Sequence, residues 1–269
     1  MTTNVELYHN ALSTCSQKVR LVLDEKSIEF DSHDVDLVSG AQHDSDYVKL
    51  NPKHVVPTLL HDGHVLCEST LINEYIADAF DGARVTPTEP AALHAMRMWT
   101  KRVDENIHPM TGVITFAIGA RPIVLGQPAE VREANIAAIP DAAGRARRRS
   151  VIEHGVRAPE VAGAIETFSK LCDDIDVALA GREWLAGDAW SLADAAMTPY
   201  ILRLDSLAMT PLLDADRRPN LAAWYDRVRA RPNYELAVTK WVPESVFEMF
   251  RGFGKEAWPE VEKLLPALR

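Results

Sequence analysis

Val56-Pro57-Thr58-Leu59-Leu60-His61-Asp62-Gly63-His64-Val65-Leu66-Cys67-Glu68-Ser69 reads as two short strands about a turn, followed by a helix start. Asp-Gly between apolar runs favours a two-residue hairpin, because that turn's backbone twist matches the twist of the strands it joins. Directly behind it Leu71, Ile72, Tyr75, Ile76 and Ala79 recur at helical spacing up to Phe80, so the stretch reads ββα. Upstream, Val5 to Tyr8 reads as a buried strand and Lys18 to Glu25 as a helix with Val19, Val22 and Leu23 on one face. Glu29 to Val35 follows as an alternating strand, then a loop with Gly40 and a short helix over Asp46 to Leu50, stopped by Asn51-Pro52.

The order βαβ, a break, then ββα is that of a thioredoxin-like domain, expected over residues 1–81. Residues 82–90 hold Gly82, Pro87 and Pro90 without apolar period and read as a linker. From 91 to 269 the chain reads helical, so the fold class is α/β followed by all-α. Met96, Trp99, Val103, Ile107 and Met110 form the apolar stripe of a long first helix, and Gly119 and Pro122 punctuate the apolar run after it. The polar segment 127–158 contains Arg145-Ala146-Arg147-Arg148-Arg149, a cluster that ordinarily forms a solvated or carboxylate-paired face. Ser191-Leu192-Ala193-Asp194 is a capping box, in which the two side chains satisfy orphan N–H groups, and its role is structural. The aromatic tail from Thr239 onward should pack on the body, since exposure of that much apolar surface would be a liability.

With 29 basic and 39 acidic residues the chain carries −10, a sign that disfavours nucleic acid or an acidic membrane as partner. No basic, apolar leader and no transmembrane span is evident, so a cytoplasmic location is expected. Cys15, Cys67 and Cys172 form neither a C-x-x-C pair nor a zinc spacing and are expected as free thiols, Cys67 and Cys172 in packing roles. His61 and His64 flank the Asp62-Gly63 turn without further ligands nearby, so no metal site is expected.

Ser13-Thr14-Cys15-Ser16-Gln17-Lys18-Val19-Arg20 lies where a strand gives way to a helix, and unpaired N–H groups there can stabilise an anion. Val56-Pro57-Thr58-Leu59, Glu68-Ser69, the helical second part and Ser191-Leu192-Ala193-Asp194 together resemble the cytosolic glutathione transferases over nearly the whole chain. Only residues 120–160 and the tail exceed the usual pattern. The resemblance implies glutathione as co-substrate, a hydrophobic electrophile as second substrate and a homodimer.

It also implies roles for named residues. Ser69, at a helix N-terminus, would hold the γ-glutamyl carboxylate, and Glu68 the ammonium. Val56-Pro57 would be a cis peptide whose Val56 N–H and C=O pair with the cysteinyl part as an added strand. Gln42 and His54 lie where family members contact the peptide. Ser13 would donate its hydroxyl proton to the glutathione sulfur and favour the thiolate. Trp99, Val103 and Met110 would line the electrophile's pocket. Each has an ordinary reading beside it: an N-cap for Ser13, a helix cap for Glu68-Ser69, a surface histidine for His54.

Three functional classes stay open. The run Met96 to Glu105, Glu68-Ser69-Thr70 and the Arg-rich segment resemble β-etherases, in which glutathione displaces an aryl ether. Ser13-Thr14-Cys15-Ser16 resembles zeta-class isomerases and reductive dehalogenases, in which the cysteine at the position of Cys15 acts covalently. The start Ser13-Thr14-Cys15-Ser16-Gln17-Lys18-Val19-Arg20-Leu21-Val22 is also similar to ganglioside-induced differentiation-associated proteins, which would make the chain a binding protein.

Overall fold

The structure, a computed structural model, describes residues 4–265. These pack into two compact units. The first holds the chain up to Thr100 with Trp184–Pro199 and Val228–Pro243; the second holds Lys101–Glu183, Tyr200–Arg227 and the chain from Glu244 on.

In the first unit, β1 (Val5–His9), β2 (Asp31–Asp34), β3 (Thr58–His61) and β4 (His64–Leu66) form one sheet in the order β2-β1-β3-β4. β1 runs parallel to β2 and antiparallel to β3, and β3 pairs antiparallel with β4 about Asp62-Gly63. The register sets Leu7 opposite Leu59, and neither exposes any surface. With α1 (Thr14–Glu25), α2 (Ser45–Leu50) and α3 (Ser69–Ala79) this is the thioredoxin-like arrangement.

Helix α1 begins four residues earlier than its apolar period suggests. Ser16, Gln17, Lys18 and Arg20 are as buried as Val19 and Leu21, so the helix is enclosed on all sides rather than amphipathic. Burial of such groups is tolerable only where each is hydrogen-bonded. Accordingly Lys18 Nζ donates to Thr70 Oγ1 at 2.8 Å, and Arg20 has several acceptors, described below.

Helix α4 (Pro90–Arg102) opens the helical region and passes into a π-helical turn at Val103–Ile107. Two further π turns lie at Thr115–Gly119 and Glu235–Thr239. Pro109 and Pro122 follow the first two of these turns within continuing helix, and in each case the carbonyl four residues back (Glu105, Ile118) lies inside the π turn. A proline ring displaces that carbonyl and offers no N–H to it. The widened winding takes up the displacement, as His108 N–H reaches Val103 O and Ala120 N–H reaches Thr115 O at 2.8 Å.

In the second unit α5 (His108–Ile114), α6 (Arg121–Leu125), α7 (Ala129–Ala137), α8 (Ala142–His154) and α9 (Pro159–Ala178) follow in order. The aromatic tail forms a helix over Glu244–Val261 that buries Phe247 and Phe250. It passes so close to Leu207 that a Cβ at Gly254 would collide with the Leu207 carbonyl, so only glycine fits there. The tail up to Leu265 is thus packed, as its composition requires; its last four residues lie outside the described ones. Among the described residues no helix is long and apolar enough to cross a membrane.

The capping box forms as expected. Asp194 Oδ2 accepts from Ser191 N–H at 3.0 Å, and Ser191 Oγ from Ala193 N–H at 3.3 Å. Asp194 Oδ1 also accepts from Leu185 N–H at 3.1 Å, tying the preceding loop to the helix start.

Candidate functional site

Ser13 is the N-cap of α1. Its extended backbone turns the chain into the helix, and its Oγ accepts from Ser16 N–H at 3.2 Å. A hydroxyl that accepts in this way still has its own proton to donate, so capping and thiolate activation are compatible in one side chain. Cys15 sits in the first turn, half-buried. The loop before them is braced on several sides. Asn10 Nδ2 donates to Val35 O at 3.1 Å, Asn10 Oδ1 accepts from Leu12 N–H at 3.0 Å, and Gln17 Nε2 donates to Ala11 O at 3.3 Å.

Arg20 adds the strongest brace. Its Nη1 and Nη2 donate to Asn10 O and Ala11 O at 3.2 and 3.0 Å, and its Nε to Ala237 O at 2.7 Å. Nη1 also donates to His9 Nδ1 at 2.8 Å. Arginine offers no acceptor, so His9 Nδ1 carries the lone pair, and Nε2–H is left to donate to Ser32 Oγ at 2.8 Å. Burial, then the neighbouring Arg20 and His33 charges, push His9 down to about 3. Burial likewise lowers Arg20 to about 9, which leaves it charged at neutral pH.

The Val56-Pro57 bond is cis. Tyr47 and Asn51 fix the surrounding loop: Tyr47 Oη donates to Val55 O at 2.6 Å, and Asn51 Nδ2 to Val55 O at 2.8 Å and Thr58 Oγ1 at 3.1 Å. Val56 itself packs its side chain with Val35 and Tyr47, and among the described residues neither its N–H nor its C=O has a hydrogen-bond partner. A held backbone edge with free groups is what an extended peptide can pair with.

Glu68 precedes α3 with φ 69° and ψ 101° and caps nothing through its side chain. That conformation is costly for a residue with a Cβ and points to a functional constraint. Its carboxylate accepts from Lys53 Nζ at 2.6 Å, and the pair draws the Lys53 ammonium upward from its usual range. Ser69, buried, is the first residue of α3, whose leading N–H groups lack intrahelical partners.

Gln42 and His54 are joined through a residue the sequence reading passed over. Gln42 Nε2 donates to His43 Nε2 at 3.1 Å, which leaves His43 Nδ1–H to donate to His54 Nδ1 at 3.0 Å. Gln42 Oε1 is buried and without a partner among the described residues, so it is an acceptor available to a ligand. His54 adopts φ 58°, which orients its ring toward this chain of donors. Lys53 and His43 are therefore the two residues that the sequence reading missed. Lys53 stands in Asn51-Pro52-Lys53, next to quoted residues, and its reach to Glu68 could have been guessed from opposite charge alone.

Of the residues expected to line the electrophile's pocket, Trp99 belongs to the first unit and is half-buried; Met110, in the second, is half-buried too. Val103 exposes no surface, so it is a core residue of the π turn and offers no lining. Burial raises Cys67 above the usual thiol range and pushes Cys172 up to about 12, as packing thiols require.

Two family profiles match the chain: one described as the glutathione S-transferase N-terminal domain over residues 12–79, the other as the C-terminal domain over residues 141–232. A tetrachloro-p-hydroquinone reductive dehalogenase of Sphingobium chlorophenolicum is 31% identical, covering 87% of this chain and 95% of that protein. The chain belongs to the glutathione S-transferase family. Protein LigF of a Sphingobium species is also 31% identical, covering 85% of this chain and 90% of its own length. The crystal structure of β-etherase LigF superposes with a TM-score of 0.80 at 28% identity, covering 88% of this chain and 99% of that one. As a transferase of this family the chain is a glutathione-dependent enzyme with glutathione as co-substrate.

Proposed function

We propose that this transferase generates the glutathione thiolate at Ser13 and directs it onto a carbon of a hydrophobic aryl ether. The observation that carries this reading is Ser13 at the N-cap of α1, its oxygen engaged with Ser16 N–H and its proton left for the sulfur. In the step, the thiol proton leaves to solvent, the thiolate sulfur forms a C–S bond, and the C–O bond breaks. The aryl oxygen departs as phenolate and takes up a proton. Lowering a thiol from about 8.5 by two units asks about 2.7 kcal/mol of differential stabilisation, within reach of one charge-assisted hydrogen bond and a helix N-terminus.

Peptide binding draws on the rest of the site. Ser69 and the first N–H groups of α3 take the γ-glutamyl carboxylate, Glu68 the ammonium, and the unpaired Val56 backbone the cysteinyl amide. Gln42, His43 and His54 form the polar end of the site. The domain division 1–81 and 91–269, a homodimer and a cytoplasmic location belong to the same reading. Ether cleavage is favoured by the likeness to LigF, and the half-buried Cys15 in the first turn supports a second reading as a thiol-dependent dehalogenase.

Turnover of an aryl ether and of a chlorinated hydroquinone by wild type, Ser13→Ala and Cys15→Ala separates the two. Ser13→Ala should lower ether cleavage up to about 25-fold at pH 7, the loss of thiolate when a thiol returns from about 6.5 to about 8.5, with the bound-thiolate absorbance titrating at higher pH. Cys15→Ala should leave it within about threefold, a loss below 1 kcal/mol. The reverse pattern would replace Ser13 by Cys15.

A further inference from the structure

Helix α8 carries four arginines in little more than one turn, and they differ in what they meet. Arg145 donates to Ile139 O at 2.6 Å and Pro140 O at 2.9 Å. Arg149 donates to Glu133 Oε2 at 2.5 Å. Arg148 has its Cζ 3.2 Å from the centroid of the Phe116 ring. At that separation the guanidinium lies flat on the ring, so its N–H groups point sideways and none is spent on Phe116.

Among the described residues no carboxylate or carbonyl accepts a hydrogen bond from Arg148. Burial lowers its pKa to about 10, which leaves the group charged at neutral pH, and among the described residues no acidic neighbour opposes that shift or serves as counter-ion. A half-buried cation with open donors is a costly arrangement, and one relieved by an anion from outside. The surroundings narrow that anion. Phe116 lies in the π turn Thr115–Gly119, and Val151 and Ile152, three and four residues on, are buried. A flat, weakly hydrated guanidinium beside apolar groups suits a planar, singly charged carboxylate, held by two parallel N–H bonds, over the more strongly hydrated phosphate dianion.

We propose that Arg148, stacked on Phe116, binds the carboxylate of a small organic acid in the second unit. The assignment stands on this unit alone and does not rest on the glutathione chemistry.

Calorimetric titration of the full chain, saturated with glutathione, tests it with benzoate, benzamide and inorganic phosphate as probes. Wild type should bind benzoate at least about tenfold more tightly than benzamide, the effect expected of a charged hydrogen-bonded pair. Arg148→Met should remove that preference and Arg148→Lys should weaken it, since an ammonium cannot pair in the two-pronged way. Arg147→Met, which takes a neighbouring charge from the same helix, should bind benzoate within about twofold of wild type; screening makes such surface charges worth little. The thermal midpoint of Arg148→Met without ligand should be no lower than that of wild type, and benzoate should raise the midpoint of wild type only. Benzoate binding that survives Arg148→Met overturns the proposal, as does equal binding of benzamide or tighter binding of phosphate. No measurable benzoate binding, or a clearly lowered midpoint of Arg148→Met, overturns it too and makes the stack a prop of the fold.

Discussion

Arg20 in the thioredoxin-like unit and Arg148 in the helical unit are both guanidinium groups depressed by burial, to about 9 and about 10. Arg20 donates to Asn10 O, Ala11 O, Ala237 O and His9 Nδ1, and lies 5.3 Å from the Trp241 ring centre. Arg148 has an aromatic plate beneath it and, among the described residues, no hydrogen-bond acceptor. Burial alone therefore does not separate a structural cation from a ligand-seeking one. The count of matched acceptors does, because an acceptor that loses its donor is stranded, whereas a donor without acceptor has nothing to strand.

The largest effect that could break this contrast comes from Arg20→Met. It takes from His9 Nδ1 and the Ala237 carbonyl the donor that Arg20 supplies, and from the Asn10 and Ala11 carbonyls one of two donors each, Ser13 N–H and Gln17 Nε2 remaining. The loss should cost about 3–5 kcal/mol in denaturant unfolding. It should also loosen the Ser13 loop, whose Asn10 and Ala11 carbonyls it no longer holds, so kcat should fall more than KM rises in whatever protein stays folded. A loss under about 1 kcal/mol would place Arg20 with the surface ion pairs and remove one side of the contrast.

Acid gives the next effect. His9 is held neutral in the fold down to about pH 3, while in the unfolded chain it protonates near its ordinary 6.5. Between those values the unfolded state binds the extra proton, so stability is complete above about pH 6.5 and declines as pH falls toward 3. The slope from this one group approaches about 1.4 kcal/mol per pH unit at most. His9→Gln keeps an acceptor for Arg20 and a donor for Ser32 but cannot titrate, so the difference between its acid limb and that of wild type isolates His9 from the carboxylates. Parallel limbs would show that burial, with Arg20 and His33 facing the ring, does not hold it neutral.

The same contrast explains what the sequence discloses. The sheet order follows from alternation and from Asp62-Gly63, because strand pairing of this kind is a local matter of turn and period. The start of α1 is misread because its first turns bury Ser16, Gln17, Lys18 and Arg20, and polar burial depends on partners such as Ala237 that lie far along the chain. Glu68 and Ser69 are legible as a motif, but the Lys53 and His43 contributions arise from folding across 15 and 11 residues. The Arg-rich run looks uniform in sequence. Only in the fold does Arg148 part from Arg145 and Arg149, through one ring supplied by a π turn that no periodicity announces.

The smallest effect decides the other side of the contrast. Arg148→Met removes a charge that burial has depressed and that no described group repays, while its methylenes and sulfur can still cover Phe116. Unfolding should therefore change by less than about 1 kcal/mol, and in the stabilising direction, because the lost cation–aromatic attraction is offset by the relieved desolvation. If the variant instead loses as much as Arg20→Met, a stacked guanidinium without acceptors is as structural as one with four, and acceptor count does not discriminate. If it gains, the native arginine is kept at a cost to stability, and such a cost is sustained where the charge is needed by something that binds.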